Sequence, residues 1–453
     1  MYNIQNNQYY IEDIPVLDLA KKYGTPLYIY SRQTILDRIN DLKQNLAVYP
    51  NTRFLYAVKA NYNPAILRTI INEGIGVDTV SIDEVKLALH CGAKPENIMY
   101  TESMISDAEM REAHDLGILL NIGSLSRLEK WGAAYPGSEV CVRFNPNVGA
   151  GSHTGNITAG PDVKFGIPHE QANEVLQIAA RHSLKIVGIH EHIGSGWLDY
   201  NEALLAMDII FEIARLIAQH ADLRFIDLGG GFGVPYLPTE TRLDLAALGR
   251  EYAKKFTAFN EEYQQIRNSA DQNHTTQNPT PLQLRFEPGR YLVAESGHLL
   301  AEVTTLKNSP NGKIFAGLNT GFNQLIRVAM YGSYHPITNL SAPPQQSQNS
   351  PPQNQQNATT ASPIPSNDTI IPYEICGNVC ESTDIFASAR PLPMLHEGDI
   401  LSLDIAGAYG ISMASNYQFR SLPAEVLISG NTDTLIRRRQ TADDLINQFP
   451  NHS

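Results

Sequence analysis

Eight short apolar runs recur along the first two thirds of the chain, at 54–58, 76–80, 97–100, 118–122, 140–144, 186–190, 224–228 and 284–286. They are largely apolar without strict alternation and often β-branched or aromatic, the pattern of strands covered on both faces. Between them lie segments whose apolar positions fall three or four apart, at 64–72, 83–90, 107–116, 124–131, 169–181, 201–220 and 245–267, which predict helices. Ser31 is placed to cap a further helix carrying Ile35, Ile39, Leu42 and Leu46 up to Pro50. Strands alternating with helices over roughly 230 residues predict a (β/α)8 barrel of the TIM type, with a doubly wound open sheet as the other fold of this rhythm. Past residue 300 the pattern turns to alternating pieces at 299–305, 313–318, 370–375, 399–404, 424–428 and 433–438, which predict a C-terminal all-β domain. Residues 1–30 hold two β-like pieces around a helical turn at 16–23 and are expected to pair with that domain. The α/β barrel is thus expected over 31–298 and the β-domain over 299–453.

One stretch interrupts the β-domain. Residues 341–367 are dense in Gln, Asn, Pro, Ser and Thr and nearly free of large apolar side chains, so they cannot bury enough surface to offset their ordering entropy. They read as a surface insertion without catalytic groups.

The 453 residues are 42% hydrophobic and 18% charged, a globular balance, with a length that favours two domains. A formal charge of −13 argues against nucleic acid and anionic membrane surfaces as partners and leaves a small molecule as the natural ligand. The first residues carry neither the basic segment nor the apolar core of a signal peptide, and no apolar run is long enough to span a bilayer, so a cytoplasmic location is expected. Four cysteines, Cys91, Cys141, Cys376 and Cys380, are too few for a disulfide scaffold and predict no structural zinc.

Chemistry concentrates where the eight runs end. Read in order, those ends give Lys59, Asp78, Glu102, Arg143 with Asn145, His190 with His192, Gly229-Gly-Gly231, and Glu287 with Arg290. In a barrel they converge on one face. A lysine at the end of a buried strand either snorkels into water or is desolvated enough for attack on a carbonyl. The glycine run fails the dinucleotide fingerprint, since Val234 stands where a third spaced glycine belongs, but its amides suit a monophosphate, as does Gly194-Ser-Gly196. His190 and His192 share one face of a strand, so a metal site has to be weighed. No third ligand cluster accompanies them in the sequence, and the expectation is no metal. His192 suits stacking on an aromatic cofactor, and Glu287 suits a ring nitrogen that must stay protonated.

Those groups together describe pyridoxal 5'-phosphate, and the chain resembles the barrel-type, alanine racemase-like family of pyridoxal phosphate enzymes. The likeness runs through Tyr56-Ala-Val-Lys-Ala-Asn61, Val77-Asp-Thr-Val-Ser81, His190-Glu-His-Ile-Gly-Ser195, Gly229-Gly-Gly-Phe-Gly233, Glu287-Pro-Gly-Arg290, Ala329-Met-Tyr-Gly-Ser-Tyr-His335, Cys380-Glu-Ser382, Gly407-Ala-Tyr-Gly410 and Leu435-Ile-Arg-Arg-Arg-Gln-Thr441. The last four point to the branch that decarboxylates meso-diaminopimelate to L-lysine, in a form like that of enteric bacteria.

The resemblance implies that Lys59 holds the cofactor covalently, His192 stacks on its ring, Glu287 faces the pyridine nitrogen and Asp78 supports the lysine end. It assigns the phosphate to Ser195, Gly230, Gly231 and the Gly289-Arg290 turn, with Tyr409 closing the site. It puts Arg290, Arg327 and Tyr331 around the substrate's distal carboxylate, Glu381 on its distal ammonium, and Cys380 as the acid that returns a proton. Because Cys380 and Glu381 reach the neighbouring subunit's barrel in this family, a homodimer with composite sites is implied. Two features depart from the family pattern: the 341–367 insertion between Tyr331 and Cys380, and Val328 where proline often follows the substrate arginine. The rival activity is decarboxylation of ornithine or arginine, whose bare distal cation should not need Arg327. A non-enzymatic rival is a cofactor carrier, which would lack the β-domain, or an inactive regulator, which would usually lack the lysine or the cysteine.

Overall fold

The structure, a computed structural model, describes residues 2–270, 280–344 and 369–450. The chain divides into two units, one formed by 34–294 and the other by 1–33 together with 295–453.

The first unit is the barrel. Its strands are β1 Thr52–Ala57, β2 Gly76–Thr79, β3 Ile98–Thr101, β4 Leu119–Ile122, β5 Glu139–Asn145, β6 Lys185–His190, β7 Phe225–Asp227 and β8 Gln283–Phe286. Each pairs in parallel with the next, and β8 pairs back onto β1 with Leu284 opposite Thr52, which closes the ring. All eight lie within two residues of the runs read from the sequence. Leu55, Met99, Cys141, Val187 and Phe225, from five different strands, pack into one buried cluster, the filled interior such a barrel requires. The helices between strands begin where the sequence supplies a cap: the side chains of Ser81, Ser106 and Ser124 each accept the N–H three residues on. Ser106 and Glu109 complete a reciprocal capping box.

The second unit is a branched nine-stranded sheet. Its main path runs Ile385–Pro393, Ile370–Cys376, Ile314–Leu318, Gly297–Asn308, Leu27–Ser31, Ala424–Ser429 and Thr432–Arg437, with Ile400–Leu403 joining Gly297–Asn308 to Ile337–Asn339. Leu27–Ser31 is a central strand, buried throughout, antiparallel to Gly297–Asn308 and parallel to Ala424–Ser429. The unit is rich in sheet, as expected, and also carries helices at Val16–Tyr23, Arg327–Tyr331 and Ala442–Ile446. Ile385–Pro393 has no alternating signal, since Pro391 and Pro393 interrupt it. It forms the sheet's edge, where a missing N–H is tolerated. From residue 345 on, the 341–367 stretch lies outside the described residues.

Candidate active site

β1 ends at Ala57 and passes into a single tight turn, Val58–Ala60, that carries Lys59. The turn is locked from behind. Asn61 accepts the Asn63 N–H, and Asn63 in turn caps the helix Pro64–Asn72 by accepting from Ala65. Lys59 Nζ lies 3.9 Å from Asp78 Oδ2 at the end of β2, the lysine side chain 38% exposed and the aspartate 1%. Burial, reinforced by Glu287, pushes the Asp78 carboxyl up to about 7 against the pull of Lys59 and His190. The ammonium therefore meets a carboxyl that ionises near neutrality.

Across the mouth, Glu287 follows β8 and His190 ends β6. Glu287 Oε2 is 3.0 Å from His190 Nε2, and both side chains are buried. Burial raises Glu287 to about 7, opposed by Lys59, Arg143 and Arg285. The other oxygen, Glu287 Oε1, has no hydrogen-bond partner among the described residues, as have neither Asp78 Oδ1 nor Asp227 Oδ2. A buried carboxylate oxygen left unpaired costs free energy unless a ligand satisfies it.

Asp227 was not among the residues singled out from the sequence. It stands inside the seventh run, two residues after the interior Phe225, and that parity places it on the barrel's inner face. Burial and Glu287 push it up to about 8, while His190 falls to about 4, chiefly through burial. His190, Asp227 and Glu287 bring candidate ligand atoms within 4.8 Å of one another, so His190 has two acidic neighbours, of which the sequence reading supplied Glu287 but not Asp227. His192 parts from this group. Its Nδ1 accepts the Gly230 N–H at 3.2 Å, and since burial, Lys59 and Arg143 keep the ring neutral, its proton resides on Nε2.

The glycine run closes over the same mouth. A Cβ on Gly230 would lie 2.1 Å from the Glu287 carbonyl oxygen, and one on Gly231, at φ +102°, would lie 2.1 Å from the Gly194 carbonyl. Only glycine allows the two anion loops and the Glu287 strand end to approach this closely. Ser195 Oγ accepts from Arg290 Nη2 at 3.0 Å and Nε at 3.3 Å, and Arg290 Nη1 donates to the Tyr236 hydroxyl at 3.2 Å. Gly289 packs so that its Cβ position lies 3.1 Å from Ala57 and 3.2 Å from Ala60, on either side of Lys59 in the chain.

Of the residues to which the resemblance gives a role, the barrel unit thus brings together Lys59, Asp78, His192, Ser195, Gly230, Gly231, Glu287, Gly289 and Arg290. The other five belong to the sheet unit. Arg327 is buried and opens the helix Arg327–Tyr331, whose last residue is Tyr331; Val328 simply continues that helix. Cys380 and Glu381 lie on an exposed turn, where the Cys380 N–H donates to Gln418 Oε1 at 2.9 Å and Glu381 Oε1 accepts from the Tyr417 hydroxyl at 2.5 Å. Tyr409 has φ +57° before Gly410, whose Cβ position would clash with the Ala406 carbonyl at 2.5 Å. Tyr236, His335, Tyr417 and Gln418 gave no signal as sequence, because each acts through a partner remote along the chain.

Pyridoxal phosphate fits this mouth on its own evidence: an amine beside a buried acid, an unpaired buried carboxylate oxygen, a neutral imidazole and two glycine loops that side chains would fill. The model of the pyridoxal-dependent decarboxylase family, pyridoxal binding domain, matches residues 32–294. The chain is 38% identical over 434 residues to the diaminopimelate decarboxylase of Methanothermobacter thermautotrophicus, covering 95% of this chain and 92% of that protein. It is 35% identical over 442 residues to that of Escherichia coli, covering 95% of each, so the likeness embraces archaeal and enteric forms alike. The solved diaminopimelate decarboxylase of Helicobacter pylori complexed with L-lysine superposes with a TM-score of 0.79 at 30% identity, covering 96% of this chain and 98% of that one. With a pyridoxal-binding barrel matched from end to end and relatives aligned over nearly the whole chain, this protein belongs to the diaminopimelate decarboxylase family of pyridoxal-dependent decarboxylases.

Proposed function

We propose that the barrel mouth and the sheet-unit residues act together to remove the α-carboxylate from one end of meso-2,6-diaminopimelate, releasing carbon dioxide and leaving L-lysine. The observation that carries this reading is Glu287 Oε1, a buried acid oxygen without a partner among the described residues, set in the same mouth as the Lys59–Asp78 pair. Lys59 would anchor pyridoxal phosphate through its amine. Ser195, Gly230, Gly231, Gly289 and Arg290 would hold its phosphate, and Tyr409 is proposed as a further group of the cofactor site. When bound, the cofactor supplies a conjugated ring that accepts the electron pair left by the departing carboxylate. The protein's part is electrostatic. Glu287 would keep a proton on the cofactor's ring nitrogen, and a neutral His192, fixed by the Gly230 amide, would stack on the ring without adding positive charge.

Selection of substrate rests on the far end of the molecule, which carries an ammonium and a carboxylate together. Neither a lone acid nor a lone base satisfies such a group. Glu381 would take the ammonium, and Arg327, Arg290 and Tyr331 the carboxylate, while Cys380 returns a proton to the α-carbon. The Helicobacter pylori relative was solved in complex with L-lysine, the ligand that this product assignment requires for this chain too. Because Cys380 and Glu381 sit on an exposed turn, the reading includes a homodimer in which each subunit completes the other's site. The proposal extends to a cytoplasmic biosynthetic role; no helix among the described residues is long and apolar enough to cross a membrane.

The test is carbon dioxide release from meso-diaminopimelate and, separately, from ornithine. Wild type should turn over the first alone, and Lys59→Ala should lose about 10³-fold or more of that rate. Turnover of ornithine, unaffected by Arg327→Ala, would replace this assignment with a basic amino-acid decarboxylase.

A further inference from the structure

Arg327 is 3% exposed, and its Nη1 lies 3.0 Å from Nε2 of His335, itself 1% exposed. The other ring nitrogen, His335 Nδ1, is 2.8 Å from the backbone carbonyl oxygen of Asp404. A guanidinium can only donate and a carbonyl can only accept, so the two contacts together fix the ring's state. Nδ1 carries the proton and gives it to Asp404, while Nε2 is a bare lone pair facing Arg327. Around this pair the backbone is braced. The His335 carbonyl accepts from Arg390 Nη1 at 3.0 Å, and the Asp404 carboxylate is held by His298 Nδ1 at 2.7 Å and Thr338 Oγ1 at 2.9 Å.

The choice of histidine has an electrostatic reason. An aspartate or glutamate would also accept from Arg327, but it would neutralise part of the charge that a substrate carboxylate needs to find. A neutral imidazole, its tautomer set from the far side, takes a hydrogen bond without cancelling that charge. It also limits rotation of the planar guanidinium, whose fork receives a carboxylate only in one orientation. Resting on the reading of Arg327 as the distal-carboxylate group, we propose that His335 is the positioning residue of this pocket: an uncharged, tautomer-locked acceptor that orients Arg327 and thereby sets the preference for a distal amino acid over a bare distal amine.

L-lysine and cadaverine differ by one carboxylate, so their binding to the holoenzyme, measured by calorimetry, isolates this pocket. An asparagine side chain can reproduce the Nδ1-side contact with Asp404 but does not reach Arg327, whereas glutamine reaches the Nε2 position. His335→Asn should weaken L-lysine about tenfold or more and leave cadaverine within about twofold. His335→Gln should restore most of the L-lysine affinity. The KM for meso-diaminopimelate should follow the L-lysine affinities, and in an Arg327→Ala background His335→Asn should add no further loss. The proposal is overturned if His335→Asn binds L-lysine like wild type, or if it loses both ligands alike, which is what a merely structural role would give. A wild-type enzyme that binds cadaverine as well as L-lysine would overturn the Arg327 reading itself, and this inference with it.

Discussion

The barrel mouth and the sheet unit's Cys380–Glu381 turn present candidate catalytic groups in opposite ways. In the mouth, Asp78, His190, Asp227 and Glu287 hang from strand ends, are buried, and have their proton affinities displaced chiefly by that burial. At the turn, Cys380 and Glu381 are exposed and are held by Gln418 and Tyr417 from a loop in which Gln418 and Phe419 adopt φ +55° and +60°. Desolvation gives a carboxylate its chemistry in the first case. In the second, the groups are presented rather than enclosed, as a site completed by another surface requires. The groups of the barrel mouth thus lie within one unit, whereas those proposed to choose and reprotonate a substrate draw on residues of the other.

The contrast is tested hardest at Glu287. Glu287→Gln keeps the shape of the side chain and removes the charge that would face a ring nitrogen. Decarboxylation should fall about 10³-fold, with the cofactor still bound by its visible absorbance. Retention of activity within about tenfold would break the barrel half of the comparison.

Cys380→Ala should cost less, about 10² in kcat, because solvent can reach an exposed turn and return the proton slowly. If the turn serves a partner's mouth, an equal mixture of Lys59→Ala and Cys380→Ala proteins, dissociated and reassembled, should recover about a quarter of wild-type activity, since half the dimers then own one intact site of two. Two inactive parents that yield an inactive mixture would place both groups in one chain.

The displaced proton affinities also have a stability consequence. Free Asp and Glu ionise near 4, but Asp78 and Glu287 are raised to about 7 and Asp227 to about 8. The folded apoprotein therefore binds these protons more tightly than the unfolded chain. Their contribution is present in full below about pH 4 and is lost as pH rises towards 7 and 8, by up to about 1.4 kcal/mol per pH unit for each. In Glu287→Gln apoprotein one such group is gone and its push on Asp78 and Asp227 with it, so the denaturation midpoint should fall less steeply between pH 5 and 7 than in wild type. Parallel curves for the two proteins would show that the mouth is not desolvated as described.

How much of this was legible beforehand follows the same division. The barrel strands announced themselves because burial on both faces leaves continuous apolar runs, and Lys59, His192 and Glu287 stood out as polar residues at their ends. Asp227 was hidden because it lies within its run, where only parity with Phe225 gives it away. In the sheet unit, register is set by remote pairings such as Leu27 with Leu300 and with Ala424, which no local window contains. Ile385–Pro393 was lost to its prolines, and His335 lay unremarked inside a quoted motif because its meaning comes from Asp404, remote in the chain.

The smallest effect probes the exposed side of the comparison. Tyr417 reaches Glu381 at 2.5 Å and stacks on Phe322, their ring centres 5.9 Å apart. The ring is thereby anchored, and its hydroxyl can restrict where the Glu381 carboxylate points. Tyr417→Phe keeps the stacking and deletes only the hydroxyl, so the fold and the Cys380 contact with Gln418 should survive. A carboxylate freed to rotate in water then has to be immobilised by the substrate's ammonium at the moment of binding. The KM for meso-diaminopimelate should rise about threefold to tenfold with kcat nearly unchanged, because the bond concerns binding of the far end and not the reacting carbon. A fall in kcat at constant KM would instead tie Tyr417 to the proton on Cys380, the neighbour in sequence of the Glu381 it was taken to hold.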